Sequence, residues 1–269
     1  TWVDHRTWYP EGRPVAASSQ DGLHFAGATL YLIAKNVFGL SMSLYDFLVL
    51  FPVYFGAVTT LAMYLLVRRI SGASAGILAA LMFAVSPPII QRGALGWFKS
   101  EPLALFLAIL ASYLFLSIYD TKVSSFGVVW RSTAAGLLLG YANTAWGGSQ
   151  YFGILFGLLF LISPFLQVDL KRTVYSGALL ISFNFFASSM FPRPGPSYIA
   201  NPVGLLLLAG LIFSALSYLT RSVMGGRDFT KALVKLLFTL FLLSLILIGL
   251  GLVSGVSGRY YTVVYPFQR

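Results

Sequence analysis

A chain of 269 residues that is 58% hydrophobic and only 10% charged cannot clothe a water-soluble surface, and several apolar runs reach the roughly 20 residues that cross a bilayer core. Its 18 basic and 8 acidic residues leave a net charge of +10, which suits cytoplasmic loops, lipid headgroups or an anionic substrate far better than nucleic acid. With no cysteine, disulfides, zinc–thiolate sites and iron–sulfur clusters are excluded. In chain order, residues 1–21 are polar, carry Pro10, Gly12 and Pro14, and read as an ordered loop. Residues 22–40 are apolar but hold His24 and Lys35, so this segment either spans or lies along the interface. Eight spans are expected after it, at about 44–67, 73–91, 102–119, 130–145, 149–166, 173–190, 202–220 and 230–254. The organisation expected is thus an external loop with its helix over 1–43, a helical membrane domain over 44–254, and the start of a further external loop over 255–269. No signal peptide is visible, and both ends read as cut within loops, as in a piece of a longer protein.

Loop charge sets the orientation. One side receives Arg68, Arg69, Lys122, Arg131, Lys171, Arg172, Arg221, Arg227, Lys231 and Lys235, in short basic loops beside span ends, which the positive-inside rule assigns to the cytoplasm. With 22–40 in the interface, the other side receives eight basic residues, Arg6, Arg13, Lys35, Arg92, Lys99, Arg193, Arg259 and Arg269; if 22–40 spans, residues 1–21 lie on the cytoplasmic side and the rest is unchanged. It also receives both histidines, both glutamates and a set of aromatics that includes Trp8, Trp97, Trp146, Tyr260 and Tyr261. Trp and Tyr belt most membrane proteins. Their convergence here with arginines and carboxylates favours a site on this second side.

Within "GALGWFKSEPLALF" (93–106), two charges open an apolar run. Ser100 suits a helix N-cap, and Glu101 with Pro102 suits a first turn, where an acid meets the helix dipole and proline loses no hydrogen bond. Glu101 is therefore either a helix-start residue or the holder of something charged at the membrane surface. The glycines of "MGGRD" (224–228) read as a cytoplasmic turn.

Three stretches, "DHRTWYPEGR" (4–13), "TAWGG" (144–148) and "GRYY" (258–261), together resemble the catalytic subunit of oligosaccharyltransferase, the membrane enzyme of N-linked glycosylation. "SAGILAALMFAVSPPIIQRGALGWFKSE" resembles the segment leading into that family's second acidic motif, and the resemblance runs through essentially the whole chain. It implies an all-α polytopic fold of the C type of glycosyltransferases (GT-C). It also implies a divalent metal, Mg²⁺ or Mn²⁺, held by acidic motifs in external loops. The implied reaction moves a lipid-(pyro)phosphate-linked oligosaccharide to the Asn of an Asn-X-Ser/Thr sequon. The implied partners are the lipid-linked donor, the acceptor polypeptide and the bilayer, with no nucleic acid. The location would be the cell membrane in an archaeon or the endoplasmic reticulum in a eukaryote, with the motif-bearing loops external or lumenal.

Residue by residue, Glu101 matches the final acid of the second acidic motif and is the metal candidate, whereas Lys99 stands where the family has the first acid. Lys99 then points away, contacts the lipid phosphate, replaces part of the metal's charge, or marks an inactive copy. Arg259 matches the arginine that contacts the lipid-linked phosphate, with Tyr260 beside it as a further donor. Arg92 matches an arginine near the acceptor. Arg6, His5, Trp97, Lys99 and Trp146 fall in the donor or acceptor vicinity, with His5 next to Asp4 read as a hydrogen-bonding scaffold and Trp146 with Gly147 and Gly148 as shaping helix packing. The first acidic motif, the external-loop glutamate and the soluble C-terminal domain with its Trp-Trp-Asp motif are not in these residues, so this piece alone is not expected to catalyse transfer. The rival readings are another GT-C enzyme using lipid-phosphate sugars, a non-catalytic paralogue, and a transporter. The last is disfavoured because the spans carry almost no ionisable residues.

Overall fold

The computed structural model describes residues 3–166 and 168–224. They divide into two compact units, Thr1–Ala215 and Leu216–Arg269. In the second unit the described residues continue a helix, where Thr220 and Ser222 return their hydroxyl hydrogens to carbonyls three or four residues back.

The first unit opens on a hairpin, β1 (Val3–Asp4) paired antiparallel with β2 (Arg13–Pro14), followed by the short helix α1 (Val15–Ser18). Helix α2 (Gly22–Phe38) ends on Gly39, whose φ of 67° lets its N–H turn back onto the Ala34 carbonyl. Only Gly22, Leu23, Ala26 and Gly27 of α2 are buried, and its far end carries exposed Val37 and Phe38. At 17 residues it falls short of the about 20 needed for a full crossing.

The bundle proper comprises α3 (Leu44–Ser71), α4 (Ala73–Ala84), α5 (Pro87–Arg92), α6 (Ser100–Leu116), α7 (Ser125–Ala145), α8 (Gln150–Ile162), α9 (Leu170–Ser189) and α10 (Pro202–Met224). Among the described residues, four stretches are long and apolar enough to cross a membrane, Leu44–Ser71, Ser100–Tyr119, Gly147–Phe165 and Pro202–Ser222. The expected span 73–91 still runs from one end of the bundle to the other, but it is not one continuous helix. Ser86 precedes Pro87 and Pro88, its backbone is extended, and the run breaks into a 12-residue and a 6-residue helix. Helices α7 and α9 match their expected spans and reach 21 and 20 residues, but are less apolar than the other four. Their polar residues, Ser132, Asn143 and Thr144 on α7 and Thr173, Ser176, Asn184 and Ser188 on α9, are buried within the bundle and away from lipid. The expected span 230–254 lies outside the described residues.

Helices α7 and α9 run parallel. A Cβ at Gly136 would meet Phe183, and one four residues on, at Gly140, would meet Ala187, so small residues at every fourth position let the two backbones touch. Asn143 Nδ2 donates to Asn184 Oδ1 at 3.1 Å across this seam, and Ser149 Oγ donates to Asn143 Oδ1 at 2.9 Å. On the next pair, Gly210 of α10 faces the Gly157 carbonyl of α8.

The helices share two ends. At one, Arg69 pairs with Asp120 at 3.1 Å, Arg172 Nη2 donates to the Val123 carbonyl at 2.7 Å, and the Tyr119 and Thr173 hydroxyls lie 2.9 Å apart. At the other, Tyr141 Oη donates to the Gly22 carbonyl at 2.8 Å, Arg193 Nη1 donates to the Ser18 carbonyl at 2.8 Å, and Phe191 packs edge-on against Tyr141 and Phe25. The polar hairpin is thereby tied to the end where α6 begins and α7 finishes.

Candidate functional site

At this second end a cavity of about 250 Å³ opens between α3, α5, the first turn of α6 and the residue after α7. Its walls are mostly apolar, and three chemistry-bearing side chains reach it: Arg92, Glu101 and Trp146. Each arrives for a local reason. The double proline starts α5, whose last residue is Arg92, and Gly93 then closes the helix on the Ile89 carbonyl. Helix α6 begins at Ser100, so Lys99 takes the cap position with extended backbone and no side-chain cap bond, which corrects the N-cap expected at Ser100. Glu101 and Pro102 fall in the first turn as expected. Thr59 of α3 bonds its hydroxyl to the Phe55 carbonyl and, at 3.4 Å, to that of Pro102, holding this turn against α3. Trp146 follows α7 in extended backbone, and a Cβ at Gly148 would collide with the Trp146 ring.

Glu101 is turned inward, its side chain 17% exposed. Arg92 Nη1 stands 3.4 Å from Glu101 Oε1, from a guanidinium that is itself 47% exposed. Glu101 Oε2 is buried with no hydrogen-bond partner. A carboxylate oxygen in that position is an open ligand, because leaving it uncompensated costs free energy that a cation or a donor recovers. Among the described residues no three His, Asp or Glu side chains cluster as a metal centre, so Glu101 offers one oxygen and any others must come from elsewhere.

Lys99 does not pair with Glu101; its Nζ stands over the Trp97 ring, 5.5 Å from the centroid. Trp97 is half exposed. His5 and Arg6 lie in the exposed tip of the hairpin and do not line the cavity. Beside them the Asp4 carboxylate is taken up by the loop itself, accepting from the Arg6 N–H at 3.0 Å and the Thr7 hydroxyl at 3.1 Å. Arg259 and Tyr260 lie outside the described residues. Gly147 faces Gln20 of the N-terminal loop, so the paired glycines accommodate a loop and the Trp146 ring, where close helix packing was expected.

Three contributors escape sequence reasoning. Thr59 sits in an apolar run like any span threonine. Phe98 reads as part of an aromatic belt, yet it anchors the loop by packing edge-on to Phe51 at 5.2 Å and near His24. The buried Asn143 and Asn184 give no signal of their pairing beyond being amides inside expected spans.

Fold and site together define a polytopic helical membrane domain with a charged cavity at one end of the bundle. The chain matches over 93% of its length, with a TM-score of 0.66 and 21% identity, a crystal structure of the Archaeoglobus fulgidus oligosaccharyltransferase in complex with Zn and sulfate, of which it covers 34%. A structure of the archaeal oligosaccharyltransferase AglB with an inhibitory peptide and a dolichol-phosphate matches with a TM-score of 0.63 over 91% of the chain, at 21% identity and covering 31% of that protein. Residues 1–192 match the family described as oligosaccharyl transferase STT3, N-terminal, and the chain belongs to that family. It is 29% identical over 98% of its length to the rice dolichyl-diphosphooligosaccharide–protein glycosyltransferase subunit STT3B, and 28% identical over 97% to the Saccharomyces cerevisiae STT3 subunit. It spans 37% of the length of each of these two relatives.

Proposed function

We propose that the chain is the membrane-embedded part of an oligosaccharyltransferase catalytic subunit, which moves a lipid-(pyro)phosphate-linked oligosaccharide onto the Asn of an Asn-X-Ser/Thr sequon. The observation that carries this is the cavity in which Arg92, Glu101 and Trp146 meet, with Glu101 Oε2 buried and open. We infer that Glu101 is one oxygen ligand of a divalent cation, Mg²⁺ or Mn²⁺, the others being supplied by residues outside those described, by phosphates and by waters. The cation would supply positive charge to the phosphate oxygens of the donor. Zn in a related archaeal enzyme supports a divalent site in this fold.

The roles of the chain's own residues follow from charge and shape. Arg92 occupies one Glu101 oxygen and leaves the other, Oε2, open, while its exposed face remains free for the acceptor. Trp146 walls the cavity against water. Arg259 and Tyr260 carry the donor phosphate, a guanidinium fork being suited to two phosphate oxygens. His5 and Arg6 stand near the substrates on the same end, external or lumenal, to which the hairpin is tied. Lys99 is the feature that suggests a non-catalytic paralogue. Its position over Trp97, off Glu101, supports the active reading, because it does not neutralise the proposed ligand.

The test is transfer by the full-length protein from a dolichyl-pyrophosphate-linked or dolichyl-phosphate-linked glycan to an Asn-X-Thr peptide. The expected result is a glycopeptide, absent with a Gln-X-Thr peptide and lost on chelation. No glycopeptide from either donor would favour the paralogue.

A further inference from the structure

At the opposite end of the bundle a larger cavity, about 600 Å³, lies between the first turns of α7 and α9. Its volume falls within the range of ligand pockets, roughly 300–1,000 Å³. Its mouth carries Lys171 and Arg172, and its wall continues along Val128 and Val129 of α7 and Leu179 of α9. Both helices start at this end, α7 capped by Ser124 and α9 by Asp169. The one acid at the mouth, Asp169, is engaged as the α9 cap, accepting the Arg172 N–H at 3.0 Å. Arg172 Nη2 is used on the Val123 carbonyl, whereas Lys171 is exposed and has no ion pair among the described residues.

We propose that this cavity binds the phosphate headgroup of an anionic membrane lipid, with Lys171 and Arg172 on the phosphate and an acyl chain along the valine wall. A cationic, polar mouth passing directly into an apolar groove matches an amphiphile and does not match a free anion. Val129 is 49% and Tyr175 64% exposed at the rim, which suits contact with lipid. The site is at the other end of the bundle from Glu101 and does not depend on transferase activity.

The experiment titrates full-length protein in zwitterionic detergent with a fluorescent short-chain phosphatidic acid, the matching phosphatidylcholine, and inorganic phosphate as competitor. Saturable binding of phosphatidic acid is expected, with phosphatidylcholine and millimolar phosphate ineffective. Lys171→Gln should weaken it about fivefold, the contribution of one basic residue near a lipid phosphate. Lys171→Arg should restore it, and Val129→Trp, which fills the groove and leaves every charge, should weaken it at least as much. Equal affinity for phosphatidylcholine, full competition by phosphate, or unchanged binding in both Lys171→Gln and Val129→Trp would each overturn the proposal.

Discussion

The pair at 3.4 Å, Arg92 with Glu101, decides what the candidate site does. Arg92 is half exposed, so its attraction for Glu101 is screened and worth on the order of 1 kcal/mol or less. It competes for the carboxylate that the cation needs. Arg92→Met should therefore lower the metal concentration for half-maximal activity by about twofold to fivefold, the equivalent of that energy. It should at the same time weaken acceptor peptide, because the exposed face of the guanidinium is lost. Steady-state titrations of metal and of peptide separate the two effects, and a raised metal requirement would show that Arg92 assists the cation. A comparable argument applies to Gly148. A Cβ there overlaps the Trp146 ring, so Gly148→Ala should displace the indole from the cavity wall and lower activity, and unchanged activity would show that the indole's position is not needed.

Among the elements, the parallel α7–α9 seam has the least room for change. Gly140→Val should push the helices apart at Ala187, stretch the Asn143–Asn184 hydrogen bond and cost about 1–3 kcal/mol, typical of overpacking. A lower thermal midpoint in detergent is the expected reading, and an unchanged midpoint would mean the seam yields freely. At the basic end, the Lys122 N–H, with Arg69 nearby, holds the Asp120 carboxyl below its usual value. The folded form therefore gains from ionised Asp120 above the ordinary carboxylate value and loses that gain as pH falls through the lowered one. Asp120→Asn should flatten the acid side of the stability profile. Much of this level was legible beforehand. Apolar runs of the right length mark α3, α6, α8 and α10, and Glu101 with Pro102 marks the first turn of α6. The break at Ser86 was written in two prolines but masked by the apolar residues around them, since hydropathy ignores backbone sterics. The meeting of Arg92 with Glu101 depends on how the intervening loop folds over Phe98, and the Asn143–Asn184 pairing depends on which helices become neighbours. Neither is a property of local sequence.

For the whole molecule, the two ends of the bundle carry different chemistry: a charged cavity and polar hairpin at one, basic turns and the larger cavity at the other. Because the chain has no cysteine, Leu95→Cys and Lys122→Cys introduce single labels at exposed positions near opposite ends. An impermeant thiol reagent should reach them from opposite sides of the membrane, Leu95→Cys from outside or from the lumen. Labelling from the same side would contradict the orientation set by loop charge. The central claim is that the buried, open oxygen of Glu101 serves a divalent cation during glycan transfer. It is tested most directly by the transfer activity of full-length Glu101→Gln across a titration of Mg²⁺ and Mn²⁺. Gln keeps the size and helix-start position and loses the charge, so a cation ligand predicts a metal curve displaced to higher concentration by about tenfold or more, since a hard cation depends on charged oxygen. A curve superimposable on that of the unsubstituted protein would contradict the account and leave Glu101 as the opening residue of a helix.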